Sequence, residues 1–204
     1  MVTLDHPIVQ QSFTIIDQEI GDHSFNPAEY AIVRWIIHTT ADFDYQTLVQ
    51  FSPDAIAAGI QALQQKTPII VDVTMVRQGI TNMVAKTQQN PIITAIEAGH
   101  SPLPGKTRTE TGLIRCFEQY PNGIYVIGNA PTALSALCQL IPQTLHPPAL
   151  VIGVPVGFVN VVESKQQLAA LRIPQIRIAG RKGGSAVAAA IVNALLVQSW
   201  EEKA

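Results

Sequence analysis

Five short runs along the chain are apolar on consecutive positions: 68–73 (PIIVDV), 91–97 (PIITAIE), 123–128 (GIYVIG), 149–153 (ALVIG) and 175–179 (QIRIA). Runs of this length without polar alternation predict strands covered on both faces, as strands inside a parallel sheet are. Elsewhere the apolar positions recur at helical spacing. They predict helices over 53–65, 74–82, 107–119, 132–141, 162–171 and 184–200, with two more ahead of the first strand at 8–20 and 27–37. Strand and helix alternate, so the expected fold class is α/β: one domain over 1–204, with a mostly parallel central β-sheet of about five strands flanked by helices. A chain of 204 residues can bury a core of that size. No repeat, low-complexity tract or linker interrupts the pattern.

Sheets of this kind bind ligands beyond the carboxyl ends of their strands. Three such ends are followed by turns rich in glycine or proline: NAPTAL at 129–134, VPVGF at 154–158 and GRKGGS at 180–185. Asn129 is placed to cap a helix whose first position suits the following proline. GRKGGS reads in two ways. Arg181, Lys182, Gly183, Gly184 and the start of the last helix together suit an anion, or the segment is an ordinary turn with solvated cations. It matches neither the GxxxxGK[ST] phosphate loop nor the GxGxxG dinucleotide fingerprint. Asp72 lies within an apolar strand run, where a carboxylate needs hydrogen bonds. It reads as a cap for the next helix or as a ligand contact. Arg108, in KTRTE, follows the long loop 98–105, and Arg115 lies later in the same helix. Guanidinium groups there suit carboxylates, or they belong to a solvated helix face.

Composition narrows the function classes. An apolar fraction of 47% against 14% charged residues excludes a disordered chain. A net charge of −2 gives no basic field to recruit nucleic acid or an acidic membrane. Cys116 and Cys138 lack CxxC spacing and read as reduced packing residues, which points to a cytoplasmic protein. MVTLDHP has no basic, apolar signal-peptide pattern, and no window approaches ~20 apolar residues, so neither a signal peptide nor a membrane span is expected. His6, His23, His100 and His146 sit in turn contexts without metal-ligand spacing, so no metal site is expected. His38 is different. It ends the apolar segment PAEYAIVRWII and is followed by TTADFD. It reads either as a cap at the negative end of a helix or as an acid–base catalyst, a role that suits histidine near neutral pH.

Five blocks, RWIIHTTADFD, DVTMVRQGIT, IGNAPTAL, GVPVGFVNVVESK and GRKGGSAVAAAIVNALL, resemble precorrin-8X methylmutases when taken together and in order. The resemblance covers residues 8–197. It implies a homodimeric α/β isomerase of cobalamin biosynthesis without a metal or organic cofactor. The implied reaction moves the ring C methyl group of precorrin-8X from C11 to C12 to give hydrogenobyrinate, or converts cobalt-precorrin-8 to cobyrinate. The implied partners are corrinoid substrate and product. The family's catalytic histidine falls on His38, and its substrate-holding residues fall on Ser12, Thr81 and Arg108. Many relatives carry arginine three residues before the histidine; here Trp35 stands there, with Arg34 beside it. Arg34, Asp72, Asn129, Arg181, Gly183 and Gly184 complete the expected substrate contacts. Two rival readings are a non-catalytic tetrapyrrole carrier and, against the missing fingerprint, a nucleotide-binding oxidoreductase.

Overall fold

The structure, a computed structural model, describes residues 6–202. Most of the MVTLDHP segment, on which the signal-peptide expectation rests, lies outside the described residues. The first two elements are helices α1 (Pro7–Glu19) and α2 (Pro27–Thr40). Proline begins each helix, where its missing N–H costs nothing. Asn26 caps α2 by accepting from the Ala28 and Glu29 N–H groups, and Glu29 accepts in return from the Asn26 N–H. This reciprocal capping box fixes where the helix starts.

The chain continues through α3 (Tyr45–Leu48), β1 (Val49–Phe51), α4 (Ala55–Gln64), β2 (Ile69–Val71), α5 (Thr74–Lys86), β3 (Ile92–Thr94) and α6 (Ala95–Ala98). It then forms α7 (Arg108–Gln119), β4 (Ile124–Ile127), α8 (Pro131–Leu140), β5 (Leu150–Gly153), α9 (Val161–Ala169), β6 (Gln175–Ile178) and α10 (Ser185–Glu201). The sheet order is β1-β6-β5-β4-β2-β3. Strands β2 to β6 pair in parallel, and β1 pairs antiparallel with β6 in the register Val49↔Ile178. Every residue of β2, β4 and β5 is buried, as the unalternating runs require.

The sheet has six strands rather than about five. The added edge strand, β1, reads VQF, and three residues with a polar centre give no apolar run to detect. The 91–97 run is also shorter as a strand than its composition suggests. It ends at Thr94, and Ala95–Ala98 coils into a helical turn.

Successive strand residues point to opposite sides and build two cores. Ile69, Val71, Ile124, Val126 and Ile152 pack with α1, α2, α4, α5 and α10. Ile70, Tyr125, Ile127 and Val151 pack with α7, α8 and α9. Helix α10 is apolar around most of its circumference, which marks a buried helix. It packs against α2, α4 and α5. No helix among the described residues is long and apolar enough to cross a membrane.

Candidate functional site

Helix α2 buries Ile32, Val33, Ile36 and Ile37 in the core and presents His38 in its last turn. The Thr39 and Thr40 hydroxyls donate back to the Trp35 and Ile36 carbonyls at 2.9 and 2.8 Å. Ala41 then closes the helix in the left-handed region, at φ 52. Helix α1 lies alongside and brings Ser12 Oγ to 2.7 Å from His38 Nδ1. The Phe13 ring meets the edges of Trp35 and His38, with both centroid separations 5.5 Å, and Trp35 lies edge-on to His38 at 6.0 Å. The imidazole is therefore held by one hydrogen bond and two aromatic walls. The ion pair between Arg34 and Asp17 at 3.2 Å joins the two helices behind it. The Tyr30 hydroxyl also donates to Asp17. Burial, and then this hydrogen bond, push the Tyr30 phenol up to about 12.

His38 and Ser12 line an open cavity of about 450 Å³ between α1 and the end of α2. Its other walls are mainly apolar, from Ile8, Ile15, Ile16, Ile37 and Phe43. Apolar walls with a few placed polar groups are the usual character of a small-molecule site. The hydroxyl beside the imidazole has a chemical consequence. A serine both donates and accepts, so it can satisfy Nδ1 whether that nitrogen is bare or protonated. It orients the ring without committing it to one protonation state, leaving Nε2 as the nitrogen a ligand can meet. That suits a group that gives and retrieves a proton.

The sequence matches the precorrin-8X methylmutase family model over residues 7–198. The chain belongs to the precorrin-8X methylmutase family. Cobalt-precorrin-8 methylmutase of Synechocystis sp. is 53% identical, covering 99% of this chain and 100% of that protein. Cobalt-precorrin-8 methylmutase of Leptospira interrogans is 41% identical, covering 98% and 96%. The solved structure of precorrin-8x methyl mutase from Thermus thermophilus superposes with a TM-score of 0.90 at 38% identity, over 96% of this chain and 97% of that one.

Of the residues that the methylmutase resemblance nominates, His38 and Ser12 meet in one cavity; Thr81 and Arg108 lie elsewhere. Thr81 is exposed on α5 and donates to the Arg77 carbonyl at 2.7 Å. Arg108 opens α7 and donates to the Ile96 carbonyl at 3.4 Å. Ile96 lies just beyond β3, whereas the loop after His38 lies by the turn that ends β6. Those two strands are separated by four sheet spacings, roughly 19 Å. Arg115 donates to the Ala98 and Ser101 carbonyls and pins the loop before α7.

Several expected ligand contacts have partners within the protein. Asp72 is fully buried. Its Oδ1 accepts from the Gly128 N–H at 3.1 Å, and its Oδ2 from the Asn129 and Ala130 N–H groups at 2.6 and 2.8 Å. It braces the β4–α8 turn and does not cap α5, whose N-cap is Val73 without a side-chain bond, which corrects the capping expectation. Burial pushes its carboxyl above the usual range, while these N–H donors and that of Val73 pull it back. Strands β2 and β4 flank the point where the sheet order reverses, the usual ligand crevice in such sheets; the Asp72 carboxylate bonds across it to the β4–α8 turn. Asn129 does not cap α8, because the N-cap position belongs to Ala130.

Arg34 pairs with Asp17, and its guanidinium lies 4.3 Å from the Phe13 ring centroid, so it braces the two helices. Gly183 fits against the Val154 carbonyl, where a Cβ would stand only 2.2 Å from the oxygen. The Gly184 N–H donates to that same carbonyl at 2.9 Å and is not open to an anion. Arg181 remains exposed, its guanidinium 5.6 Å from the Phe158 ring centroid.

Lys182, expected from sequence as one of two anion-site cations or as a solvated one, has protein partners. Its ammonium bonds Asp42 and Asp44 at 2.6 and 2.7 Å, joining GRKGGS to the segment after His38. Lys165, buried in α9, donates to the Gly180 and Lys182 carbonyls at 2.8 and 2.7 Å, and burial pulls its amine down to about 8. No local spacing rule links charges in motifs this far apart. Among the described residues, no cluster of three or more His, Cys, Asp or Glu side chains could hold a metal. Cys116 and Cys138 are buried free thiols.

Proposed function

We propose that this chain is a methylmutase of cobalamin biosynthesis that moves the ring C methyl group from C11 to C12, acting on precorrin-8X or its cobalt complex, cobalt-precorrin-8. The observation that carries this reading is the Ser12-anchored imidazole of His38 on an apolar cavity, in a chain of this family. The reaction is an isomerisation and needs no net oxidant or reductant. The methyl group leaves C11 with its bonding electrons as the bond to C12 forms, a shift that a conjugated ring supports without a protein nucleophile. His38 supplies or removes the proton that prepares the macrocycle, and the proton balance is restored when the product forms. Such catalysis is worth ~10²–10⁴-fold. The cavity walls and peripheral cations supply orientation.

The cavity is smaller than a tetrapyrrole, so it takes the reacting edge of the ring. A ligand that also meets Arg108, Thr81 or Arg181 must extend along the carboxyl end of the sheet or lie between two copies. We take the working form to be a cytoplasmic homodimer. A mean hydropathy of +0.21 supports a covered apolar face. Sedimentation at micromolar concentration tests it; a 22.1 kDa monomer contradicts it.

The test of function is to incubate the purified protein with precorrin-8X and, separately, with cobalt-precorrin-8, and to follow the absorption spectrum. Conversion to hydrogenobyrinate or cobyrinate supports the reading, and the preferred substrate names the route. Product binding without turnover of either substrate contradicts it and favours a carrier.

A further inference from the structure

The segment that follows His38 holds an unfavourable conformation next to a strong tether. Ala41 lies in the left-handed region, where a Cβ is crowded and glycine is the usual occupant. Such a conformation persists when its surroundings over-determine it. Here Asp42 and Asp44 each place Oδ2 on the Lys182 ammonium, at 2.6 and 2.7 Å.

The anchor end is well fixed. The Lys182 and Gly180 carbonyls accept from the ammonium of Lys165, a residue only 3% exposed. Gly183 is packed on the Val154 carbonyl, and the Tyr45 hydroxyl donates to the Gly183 carbonyl at 3.5 Å. The tethered segment supplies Ala41 and Phe43 to the cavity that His38 lines.

We propose that Lys182 is a positioning residue: by bridging Asp42 and Asp44 it holds the left-handed turn at Ala41, and so fixes the cavity wall beside His38. Its catalytic consequence rests on the methylmutase reading, but the tether itself does not. The assignment also separates the two cations of GRKGGS. Lys182 is paired within the protein, whereas Arg181 is exposed.

The experiment compares wild type with Lys182→Met, Lys182→Arg and the double variant Lys182→Met with Ala41→Gly. Amide hydrogen exchange is read at Asp44, Gln46 and Thr47, whose N–H groups bond within this segment. Loss of the tether should speed exchange there by ~10-fold or more while β4 and α10 keep their protection. For cobalt-precorrin-8, Lys182→Met should lower kcat and raise KM. Arginine should restore much of the loss by making the same bridge. Glycine at 41 should restore part of it, because it adopts the left-handed turn without a tether.

Unchanged exchange in Lys182→Met overturns the tether. Faster exchange with unchanged kcat and KM overturns the positioning role. A lost product affinity that Ala41→Gly does not restore overturns it too, and makes Lys182 a direct ligand contact. If wild type itself turns over neither substrate, the methylmutase reading fails, while the exchange result still decides the tether.

Discussion

Replacing Asp72 with asparagine tests whether the usual ligand crevice of this sheet is closed by structure. Besides the Val73 N–H, three backbone N–H groups from the β4–α8 turn converge on the carboxylate: Gly128 on Oδ1, and Asn129 and Ala130 on Oδ2. Asparagine keeps one oxygen. If that oxygen takes the place of Oδ2, the amide NH₂ faces the Gly128 N–H, and a buried donor meets a donor. The reverse orientation strands two donors and is worse. A buried unsatisfied polar group costs about 1–3 kcal/mol. Asparagine also removes a buried charge, which offsets part of that loss, so the lower half of the range applies, about 1–2 kcal/mol. For a chain of this size that is a fall in Tm of roughly 2–8 °C. The assay is thermal unfolding by circular dichroism, paired with product titration below the transition. Product affinity should be nearly unchanged, since the carboxylate faces backbone and not the cavity. An unaltered Tm together with a large loss of product affinity refutes the reasoning and returns Asp72 to the ligand site.

Other expectations follow from the same geometry. Ser12→Ala removes the hydrogen bond to His38 Nδ1; turnover should fall by on the order of 10–100-fold through misorientation, with product affinity little changed, as steady-state kinetics and titration will show. Arg108→Ala should weaken product binding by about 1.5–3 kcal/mol if its guanidinium meets a substrate carboxylate, and Arg108→Lys should recover only part; equal affinity in all three proteins removes it from the site. Asp42 is held below the usual carboxylate range by its bond to Lys182, and the Lys182 ammonium is raised by Asp42 and Asp44. The Asp42 contribution is present above its ordinary value of about 4 and is lost as pH falls through the depressed one; that of Lys182 is present below about 10.4 and is lost only as pH rises through the elevated one. Exchange protection of the tethered segment, corrected for intrinsic rates, should therefore stay level from about pH 5 to pH 9.

The parts of the fold that were legible in sequence are those with dense local signals. The apolar runs of β2, β4 and β5 mark strands covered on both faces, and proline with Asn26 marks the start of α2. Strand β1 was not legible, because VQF carries no pattern of its own and exists through pairing with β6. His38 was legible as an oddity, a titratable side chain ending an apolar face. Its partner was not, because Ser12 lies 26 residues earlier and only the packing of α1 brings them together. The two readings of the glycine-rich turn stayed open for a related reason. Sequence shows that Gly183 and Gly184 free the backbone, but not that the Val154 carbonyl occupies the freed space. Asp72 and Lys182 show that a charge near a strand end can be bonded within its own protein. Which charges remain for a ligand is settled by tertiary contacts.

The proposed proton transfer depends on His38, and one variant tests that most directly. His38→Asn keeps a polar side chain of similar size in the last turn of α2, while the braces between Arg34 and Asp17 and between Lys182 and Asp42 are untouched. The decisive measurement is the single-turnover rate on cobalt-precorrin-8 or precorrin-8X, made on protein shown to melt near wild type and to bind product normally. The predicted result is a rate ~10²–10⁴-fold lower, the share expected of a lost proton-transfer group. A histidine that only caps the helix end would cost about 0.3–1 kcal/mol of stability and leave the rate intact. Near-normal turnover in a folded, product-binding His38→Asn protein contradicts the account and places the proton donor elsewhere.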